Sequence, residues 1–387
     1  MSGSDITQLL AAKEVIVVCG PGGVGKTTVA AATGILAVQQ LGGRVLVLTV
    51  DPARRLATAL GLDAIGDDEV QVDPDLLASE AGPPRGELWV AQLDTKKSWD
   101  ALVRRHAPDP HTRDAILENS LYENVTAKFV QSHDYIAMER LHDLHSSGRF
   151  DLIVIDTPPS RHAVDFLDAP ARMADFFSSR LLRWLTVPYR SRLFTAASRP
   201  FYNVADRVLG QQFLREIADF FLLFQTMYKG FVERAEEVQR TLRDRRTSFF
   251  VVSTLESASM SECAYFIDAL DERRLNLGAV VFNRALPSFF AARAPATAAR
   301  KLERRAGELG DTLTPDADGG ADVGPDVVAG VLREISRSFL NFGVVANRQA
   351  ELEGEIVATA NVVTTTLPLL ARDITDLEAL TELAGDL

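Results

Sequence analysis

The segment Gly20-Pro21-Gly22-Gly23-Val24-Gly25-Lys26-Thr27 constrains the fold more than any other part of this chain. It matches the pattern G-x-x-x-x-G-K-[ST] at every fixed position, and it lies between an apolar run and an alanine-rich, helix-like segment. Glycines let successive backbone N–H groups point into one concavity, and the N-terminus of the next helix adds its positive dipole there. The sequence therefore predicts a phosphate-binding loop between a strand and a helix.

The loop predicts contacts to ATP or ADP and to Mg²⁺. Lys26 would place its charge on the β- and γ-phosphates, and the Thr27 hydroxyl would ligate Mg²⁺. The predicted nucleotide contacts in the loop are Gly20, Gly22, Gly23, Val24, Gly25, Lys26, Thr27 and Thr28.

Two carboxylates follow apolar, strand-like runs, Asp156 after Leu152–Ile155 and Asp51 after Arg44–Val50. Because the carboxyl ends of parallel strands meet at one edge of a sheet, both should lie beside the loop. Asp156 is predicted to order Mg²⁺ and Asp51 to orient the attacking water, although a helix N-cap or an Asp-Pro turn would also explain them. The predicted catalytic residues are Asp51, Lys26 and Asp156, and the predicted metal ligands are Thr27, Asp51 and Asp156.

Strand-like and helix-like segments alternate along the chain, which is typical of an α/β protein with a doubly wound, mostly parallel sheet. The predicted strands are Val15–Val18, Arg44–Val50, Leu88–Leu93, Leu152–Ile155, Phe249–Ser253, Ala279–Phe282 and Val362–Thr366. Two long helical stretches interrupt the alternation and predict an inserted α-helical subdomain. The predicted divisions are ATPase core 1–95, first insert 96–147, core 148–168, second insert 169–246 and core 247–387, with a mobile loop near 306–326.

Composition excludes several classes of protein. The chain has 387 residues, 47% of them hydrophobic, which argues against a disordered chain, and its net charge of −12 argues against nucleic acid as a partner. Two cysteines, Cys19 and Cys263, are too few for a disulfide framework. No apolar stretch is long enough for a membrane span and no secretory signal is evident. We expect a cytoplasmic protein, with peripheral attachment at the inner face of a membrane left open.

Four segments resemble the ArsA family, which includes arsenite-pump ATPases and ATPases that deliver tail-anchored membrane proteins. They are Gly20–Thr28, Thr49–Ala53, Asp156–His162 and Pro368–Leu370. The resemblance implies a magnesium-dependent ATPase that works as a dimer. It also implies that Thr49–Leu60 and Asp156–Pro170 are two switch segments, that Asn283 contacts adenine, and that Pro368 and Leu369 belong to the loop that closes over the base.

The chain departs from this family at Pro21, where the family usually has a lysine that reaches the nucleotide of the other subunit. Proline offers neither a charge nor an N–H group. Arg54, Arg55 or Arg161 could neutralise the developing charge instead, as arginine fingers do. Alternatively, a paralogous subunit supplies the lysine in a heterodimer, or hydrolysis is slow.

The cysteine content also bears on the activities of the resembling family. An arsenite site needs about three soft ligands, and a zinc clasp between subunits needs a cysteine pair from each chain. Cys19 and Cys263 are more simply buried apolar residues, so we predict neither arsenite stimulation nor zinc. His162, in the second switch segment, is predicted to be structural rather than a metal ligand.

The aromatic helical insert is the part of the chain that we predict to bind a client or partner. Its large apolar residues would either form a groove for an apolar client helix or pack as the insert's own core or a constitutive dimer interface. They include Phe176, Phe177, Leu181, Trp184, Phe220, Phe221 and Phe224. Nearby arginines suit an anionic membrane surface or an acidic partner. They are Arg180, Arg183, Arg190, Arg192 and Arg199.

Three functions stay open at this point. The first is an ATP-driven targeting or chaperone-like switch, in which closure of a dimer moves the client-binding helices. The second is the energising subunit of a membrane anion pump. The third is a regulatory ATPase of low turnover that pairs with a lysine-bearing paralogue.

Overall fold

The structure is a computed structural model that describes residues 4–50, 55–60, 62, 65–78, 82–119, 121–122, 130–158, 175, 217, 219–223, 226–313, 324–359, 362–374 and 376–387. The elements below lie within these ranges.

Eight strands of the described residues form one sheet in the order β3-β4-β2-β5-β1-β6-β7-β8. All neighbouring strands are parallel except β3 and β4, which are antiparallel. The strands are β1 Val15–Cys19, β2 Gly43–Thr49, β3 Val70–Gln71, β4 Gly86–Gln92, β5 Leu152–Asp156, β6 Thr247–Thr254, β7 Leu277–Ala285 and β8 Val363–Pro368.

Helices connect these strands and cover both faces of the sheet. In chain order the α-helices are α1 Ser4–Ala11, α2 Lys26–Gln40, α3 Arg55–Ala59, α4 Thr95–His106, α5 Pro110–Leu117, α6 Val130–Ser146, α7 Tyr228–Arg243, α8 Ser257–Glu272, α9 Arg293–Leu313, α10 Pro325–Thr359 and α11 Leu377–Asp386.

The side chains of β1 show how the two faces are divided. Val15 and Val17 belong to a hydrophobic cluster with residues of α4 to α8, whereas Ile16 and Val18 belong to a second cluster with residues of α1, α2, α3 and α11. All five residues of β1 are buried. A strand that is buried on both faces is a continuous apolar run, because alternate side chains point to opposite sides of the sheet. The predicted doubly wound, mostly parallel α/β fold is confirmed.

Each of the seven predicted strands overlaps a strand of the structure, with bounds that differ by a few residues. Strand β3 was not predicted, because Val70–Gln71 has two residues, both of them exposed, and so carries no apolar pattern. The predicted loop at 306–326 is too long at both ends. Its first eight residues belong to α9 and its last two to α10. The run Lys301–Leu309 is rich in good helix formers, and a proline is tolerated in the first turn of a helix.

The helices predicted as the first part of an insert pack directly on the sheet. Trp99 and Leu102 of α4 and Ile136 of α6 are buried in the same cluster as Val17 and Ile155 of the sheet. Aspartate side chains accept hydrogen bonds at the N-termini of α4 and α5, which stabilises the ends of these helices.

Few residues of the predicted second insert are described. Phe220 is buried at 2% exposure in the same cluster, and its ring lies 5.2 Å from that of Phe221 in an edge-to-face arrangement. For Phe220 this favours the core alternative over a client groove. The other aromatic residues predicted for the groove (Phe176, Phe177, Trp184 and Phe224) lie outside the described residues, as do Leu181 and the five arginines from Arg180 to Arg199.

Buried charges join two of these helices. Arg234 of α7 donates to Glu139 of α6 at 2.8 Å and also pairs with Asp143 of α6. Burial raises the pKa of Glu139, although the Arg234 guanidinium opposes that shift. Within the described part of the chain, no helix is long and apolar enough to span a membrane.

Because α4 packs directly on the sheet, truncation of one of its buried side chains should destabilise the whole fold. Leu102→Ala should lower the free energy of unfolding by about 2–5 kcal/mol, the usual cost of removing a buried leucine side chain. Arg104→Ala, an exposed position on the same helix, should change it by less than about 0.5 kcal/mol. Denaturant unfolding followed by circular dichroism measures both. An unchanged midpoint for Leu102→Ala would mean that α4 unfolds separately from the sheet.

Candidate functional site

Strand register brings the chemical groups of the site to one edge of the sheet. Asp156, the last residue of β5, is opposite Val18 of β1 and Thr49 of β2. The glycine loop begins one residue after β1 ends, so it passes directly beside Asp156. The Thr157 hydroxyl donates to the Val18 carbonyl oxygen at 2.9 Å and continues the contact between the two strands beyond the ladder.

The loop has a backbone conformation that requires glycine at several positions. Gly20, Gly23 and Gly25 have φ angles of 144°, 79° and 92°. A Cβ on Gly20 would lie 2.1 Å from the Val252 carbonyl oxygen, and a Cβ on Gly25 would lie 2.3 Å from Asn283 Nδ2. The loop therefore packs tightly against β6 and β7, and Gly25 is also the N-cap residue of α2.

Lys26 is the first residue of α2 and is buried, at 6% exposure. Its Nζ donates to the Gly20 carbonyl oxygen at 3.1 Å and to the Pro21 carbonyl oxygen at 2.9 Å. A buried ammonium group is costly unless it is hydrogen-bonded, and these two bonds hold its charge over the loop.

Thr27 and Asp156, both predicted metal ligands, are in direct contact. Thr27 Oγ1 donates to Asp156 Oδ2 at 2.7 Å, and Thr49 Oγ1 donates to the same oxygen at 2.9 Å. Asp156 is 1% exposed. Side-chain oxygens from α2, β2 and β5 therefore meet at one point.

Asn283 lies on β7 under the loop and is 5% exposed. Its Nδ2 donates to the Val24 carbonyl oxygen at 2.8 Å, and its Oδ1 accepts from the Arg284 backbone N–H at 2.9 Å. Arg284 has a φ of 58°, an uncommon conformation for a residue with a side chain, and it contributes to the cleft described next. The Asn283 amide thus links the loop to the end of β7.

A cleft of about 790 Å³ opens beside the loop. Its floor is formed by Lys26, Thr27 and Thr28, and its far wall by Pro368, Leu369 and Arg372. The Leu369 backbone N–H donates to the Ala285 carbonyl oxygen at 2.8 Å, which fixes this wall to β7. Of the predicted nucleotide contacts, the cleft is lined by Gly23, Gly25, Lys26, Thr27, Thr28, Asn283, Pro368 and Leu369, whereas Gly20, Gly22 and Val24 are not among its lining residues.

Several predicted residues lie outside the described residues, namely Asp51, Arg54, Arg161 and His162. The backbone of Arg55 is the start of α3. Pro21 is buried, and its carbonyl oxygen accepts from Lys26.

Both cysteines are buried. Burial raises the pKa of Cys19 to about 12 and that of Cys263 to about 12, which keeps both thiols protonated at neutral pH. No group of three or more histidine, cysteine or acidic side chains suited to a metal ion occurs among the residues that the structure describes.

Sequence reasoning named Thr49 and Thr157 only as members of the two resembling switch segments, and it gave Arg284 no role. Thr49 and Thr157 contact the Asp156 region through their hydroxyls, and Arg284 lines the cleft. The position of Thr49 at the end of an apolar run was a usable signal, since polar residues at strand ends meet at one edge. The positive φ of Arg284 could not be predicted, because arginine rarely adopts this conformation.

These features define a class of protein: an α/β fold with a glycine-rich loop and a cleft of about 790 Å³ at the carboxyl edge of its sheet. The model of the anion-transporting ATPases, ArsA ATPase, matches residues 13–306. The chain belongs to the ArsA ATPase family, as the resemblance of its motifs predicted.

Three relatives illustrate this similarity. An uncharacterized protein of Streptomyces coelicolor is 28% identical over 272 residues, which cover 70% of this chain and 62% of that protein. A putative arsenical pump-driving ATPase of Prosthecochloris vibrioformis is 27% identical over 153 residues, or 39% of this chain and 34% of that protein. ATPase ASNA1 homolog 1 of Paramecium tetraurelia is 23% identical over 70% of this chain and 74% of its own length. The match covers less than two thirds of the length of the first two relatives.

The glycines of the loop predict an unequal response to added side chains. Gly25→Ala combines a positive φ with displacement of the Asn283 amide, whereas a Cβ on Gly23 has a positive φ but meets nothing within 4 Å. We expect Gly23→Ala to cost about 1–2 kcal/mol of unfolding free energy and Gly25→Ala to cost about 1 kcal/mol more. Denaturant unfolding without nucleotide measures both. Equal losses would show that the contact with Asn283 contributes nothing to stability.

Proposed function

We propose that this chain is an ATPase that binds ATP in the cleft and transfers its terminal phosphoryl group to water. The observation that supports this most strongly is the convergence of Lys26, Thr27 and Asp156 at the glycine loop, within the part of the chain that matches the ArsA ATPases. Phosphoryl transfer depends on positioning and on neutralisation of charge, and this edge of the sheet offers both.

In this proposal the backbone N–H groups of the loop and the N-terminus of α2 hold the phosphates. Lys26 would exchange its bonds to loop carbonyls for bonds to the β- and γ-phosphate oxygens, which lets its buried charge stabilise the triphosphate. The Thr28 backbone, in the first turn of α2, would bind the α-phosphate region.

The residues present fit a Mg²⁺ ion. Magnesium prefers oxygen ligands and is usually held by one or two carboxylates together with substrate phosphates and water. Thr27 and Asp156 supply such oxygens 2.7 Å apart, and we propose that they hold the ion, with Asp51 as a further ligand through water. The ion would neutralise charge on the β- and γ-phosphates when bound.

We propose Asp51 as the residue that orients the attacking water. It follows Thr49, whose hydroxyl already contacts Asp156, by two residues in the sequence. The water oxygen bonds to the γ-phosphorus as the bond to the bridging oxygen breaks, ADP leaves, and the proton of the water passes to Asp51 or to the released phosphate. Arg54, Arg55 and Arg161 are the candidates for the charge that Pro21 does not supply.

The adenine contacts are proposed at the far wall of the cleft. Pro368 and Leu369 present apolar surface there, and Leu369 is 49% exposed. Asn283 has a different role in this proposal. Because its amide bonds Val24 and Arg284, we propose that it positions the loop, in addition to any contact with the base that the resemblance implies.

The biological role that the relatives favour is that of an energising ATPase for an anion pump, since four relatives are named putative arsenical pump-driving ATPases. A client-targeting switch is the second candidate, favoured by similarity to the ASNA1 homolog. In either case we propose that the γ-phosphate draws in the switch segments and closes a dimer. Phosphate release from ATP by the purified chain tests the ATPase proposal. The mass of the chain in solution, measured with and without nucleotide, tests the proposed closure of a dimer. No phosphate release and no nucleotide binding would contradict it.

Two substitutions separate binding from hydrolysis. Lys26→Ala should weaken ATP binding at least about tenfold, because charge-assisted hydrogen bonds to phosphate contribute about 1.5–3 kcal/mol. Asp51→Asn should keep the affinity within about threefold but abolish turnover, since it removes the negative charge beside the water. Calorimetry and phosphate release measure the two quantities. Lys97→Ala, at an exposed position of α4, is the matched control. Turnover equal to wild type in Asp51→Asn would remove Asp51 from its role.

A ligand without a base tests Asn283. If Asn283 positions the loop, Asn283→Ala should weaken the binding of ATP and of inorganic tripolyphosphate by the same factor, about tenfold, because both lose the ordered loop. If it acts through adenine alone, tripolyphosphate binding should not change. Ser253→Ala is the control, because Ser253 is buried at the end of the neighbouring strand β6 and bonds the Thr254 carbonyl oxygen instead of the loop.

A further inference from the structure

Two arginines have a left-handed backbone conformation, which is sterically disfavoured for any residue with a side chain. They are Arg274 and Arg284, with φ angles of 56° and 58°. Arg274 follows the end of α8, where its N–H donates to the Asp271 carbonyl oxygen and the N–H of Leu275 donates to that of Leu270. Many helices end with this pair of bonds, which accounts for Arg274. Arg284 lies in β7 and requires a different explanation.

An extra residue in β7 turns the side chain of Arg284 out of the core. Phe282 pairs with Thr366 of β8 and Ala285 pairs with Pro368, so β7 covers this stretch with one residue more than β8 does. In a regular strand, Arg284 would share the face of Phe282. Ala285 instead joins Phe282 in the buried cluster of α4 to α8, and Arg284 is exposed. Bulges of this kind re-aim side chains next to active sites.

The side chain of Arg284 lies against the glycine loop. Its Nη1 donates to the Gly23 carbonyl oxygen at 3.4 Å, while its backbone N–H donates to Asn283 Oδ1 at 2.9 Å. Arg284 and Gly23 both line the cleft, and a Cβ on Gly23 would meet nothing within 4 Å. The bond to Gly23 is long for an N–H···O hydrogen bond, so a stronger acceptor that enters the cleft can replace it.

Arg284 also adds a positive charge to the site. Within Gly20–Thr27, Lys26 is the one cationic side chain. Arg372, on the far wall of the cleft, lies 3.9 Å from Glu382, whereas Arg284 has no ion-pair partner among the residues that the structure describes. A guanidinium presents its N–H groups in a planar fork that matches the oxygens of a phosphate group.

We propose that Arg284 binds the phosphate chain of the nucleotide, and that its side chain is the reason for the strained conformation in β7. This inference rests on the proposed function, because it requires a nucleotide in the cleft. Glycine would adopt the same conformation without strain. Strained residues cluster at ligand sites, where the contact they make offsets the cost of the conformation. On binding, the guanidinium exchanges the long bond to Gly23 for charge-assisted bonds to phosphate oxygens.

A contact with the base is the alternative, since guanidinium groups also stack on aromatic rings. The position of Nη1 favours the phosphate chain. It bonds the backbone of the glycine loop, where the proposed function places the phosphates, whereas the base is proposed at the apolar wall of Pro368 and Leu369. A ligand that has phosphates and no base separates the two alternatives.

Arg284→Gly removes the side chain and the strain together. We expect the melting temperature without nucleotide to rise by about 1–2 °C, because glycine accepts a positive φ. The affinities for ATP and for inorganic tripolyphosphate should both fall at least about tenfold, since each ligand loses charge-assisted bonds. Thermal unfolding and calorimetry on the full chain measure these quantities.

Arg274→Gly is the matched control, because it makes the same substitution at the same backbone conformation on another part of the chain. It should raise the melting temperature by a similar amount and leave both affinities unchanged. Arg284→Asn is the second variant. Asparagine tolerates the left-handed region better than most residues and carries no charge, so it should lose the same affinity as Arg284→Gly without the added flexibility of glycine.

Four results would count against the inference, and they differ from one another. Wild-type affinity in Arg284→Gly, or in Arg284→Asn alone, would remove the guanidinium from phosphate binding. Weaker binding of ATP with unchanged binding of tripolyphosphate would make Arg284 a contact of the base. A melting temperature of Arg284→Gly no higher than that of wild type would show that the conformation is not strained. A wild-type chain that binds neither ligand would contradict the proposed function itself.

Discussion

The contact of Asp156 with two threonine hydroxyls connects the parts of the site to one another. Thr27 belongs to the helix that follows the loop, Thr49 ends β2, and Asp156 ends β5, so a single carboxylate oxygen joins three elements. Asp156 is nearly fully buried, and a buried carboxylate is costly unless it is hydrogen-bonded, as its Oδ2 atom is here. The position of this carboxylate therefore depends on contacts from α2 and β2 as well as on its own strand.

A second connection runs through the opposite side of the loop. Asn283 bonds Val24 from β7, and Gly25 has room for no more than a hydrogen atom beside that amide. The loop is thus held between Asp156 on one side and Asn283 on the other. Such preorganisation matters for phosphoryl transfer, where positioned donors act without reorganising during the reaction.

The sequence predicted the sheet well because a short, continuous apolar run such as β1 is typical of a strand that is buried on both faces. It also predicted the positions of Lys26, Thr27 and Asp156, since strand ends in a parallel sheet share one edge. It did not predict β3, because two exposed residues carry no periodic signal. Nor did it predict the hairpin of α9 and α10. The small residues of that hairpin suggested a loop, whereas in three dimensions they allow two helices to pack closely.

The antiparallel strand β3 has a consequence for how copies of this protein associate. Among the described strands it forms one edge of the sheet, and it exposes only two residues whose direction opposes that of β4. A short, reversed border strand is a poor template for backbone pairing with another molecule. Growth of the sheet from one copy into the next is therefore discouraged on that side.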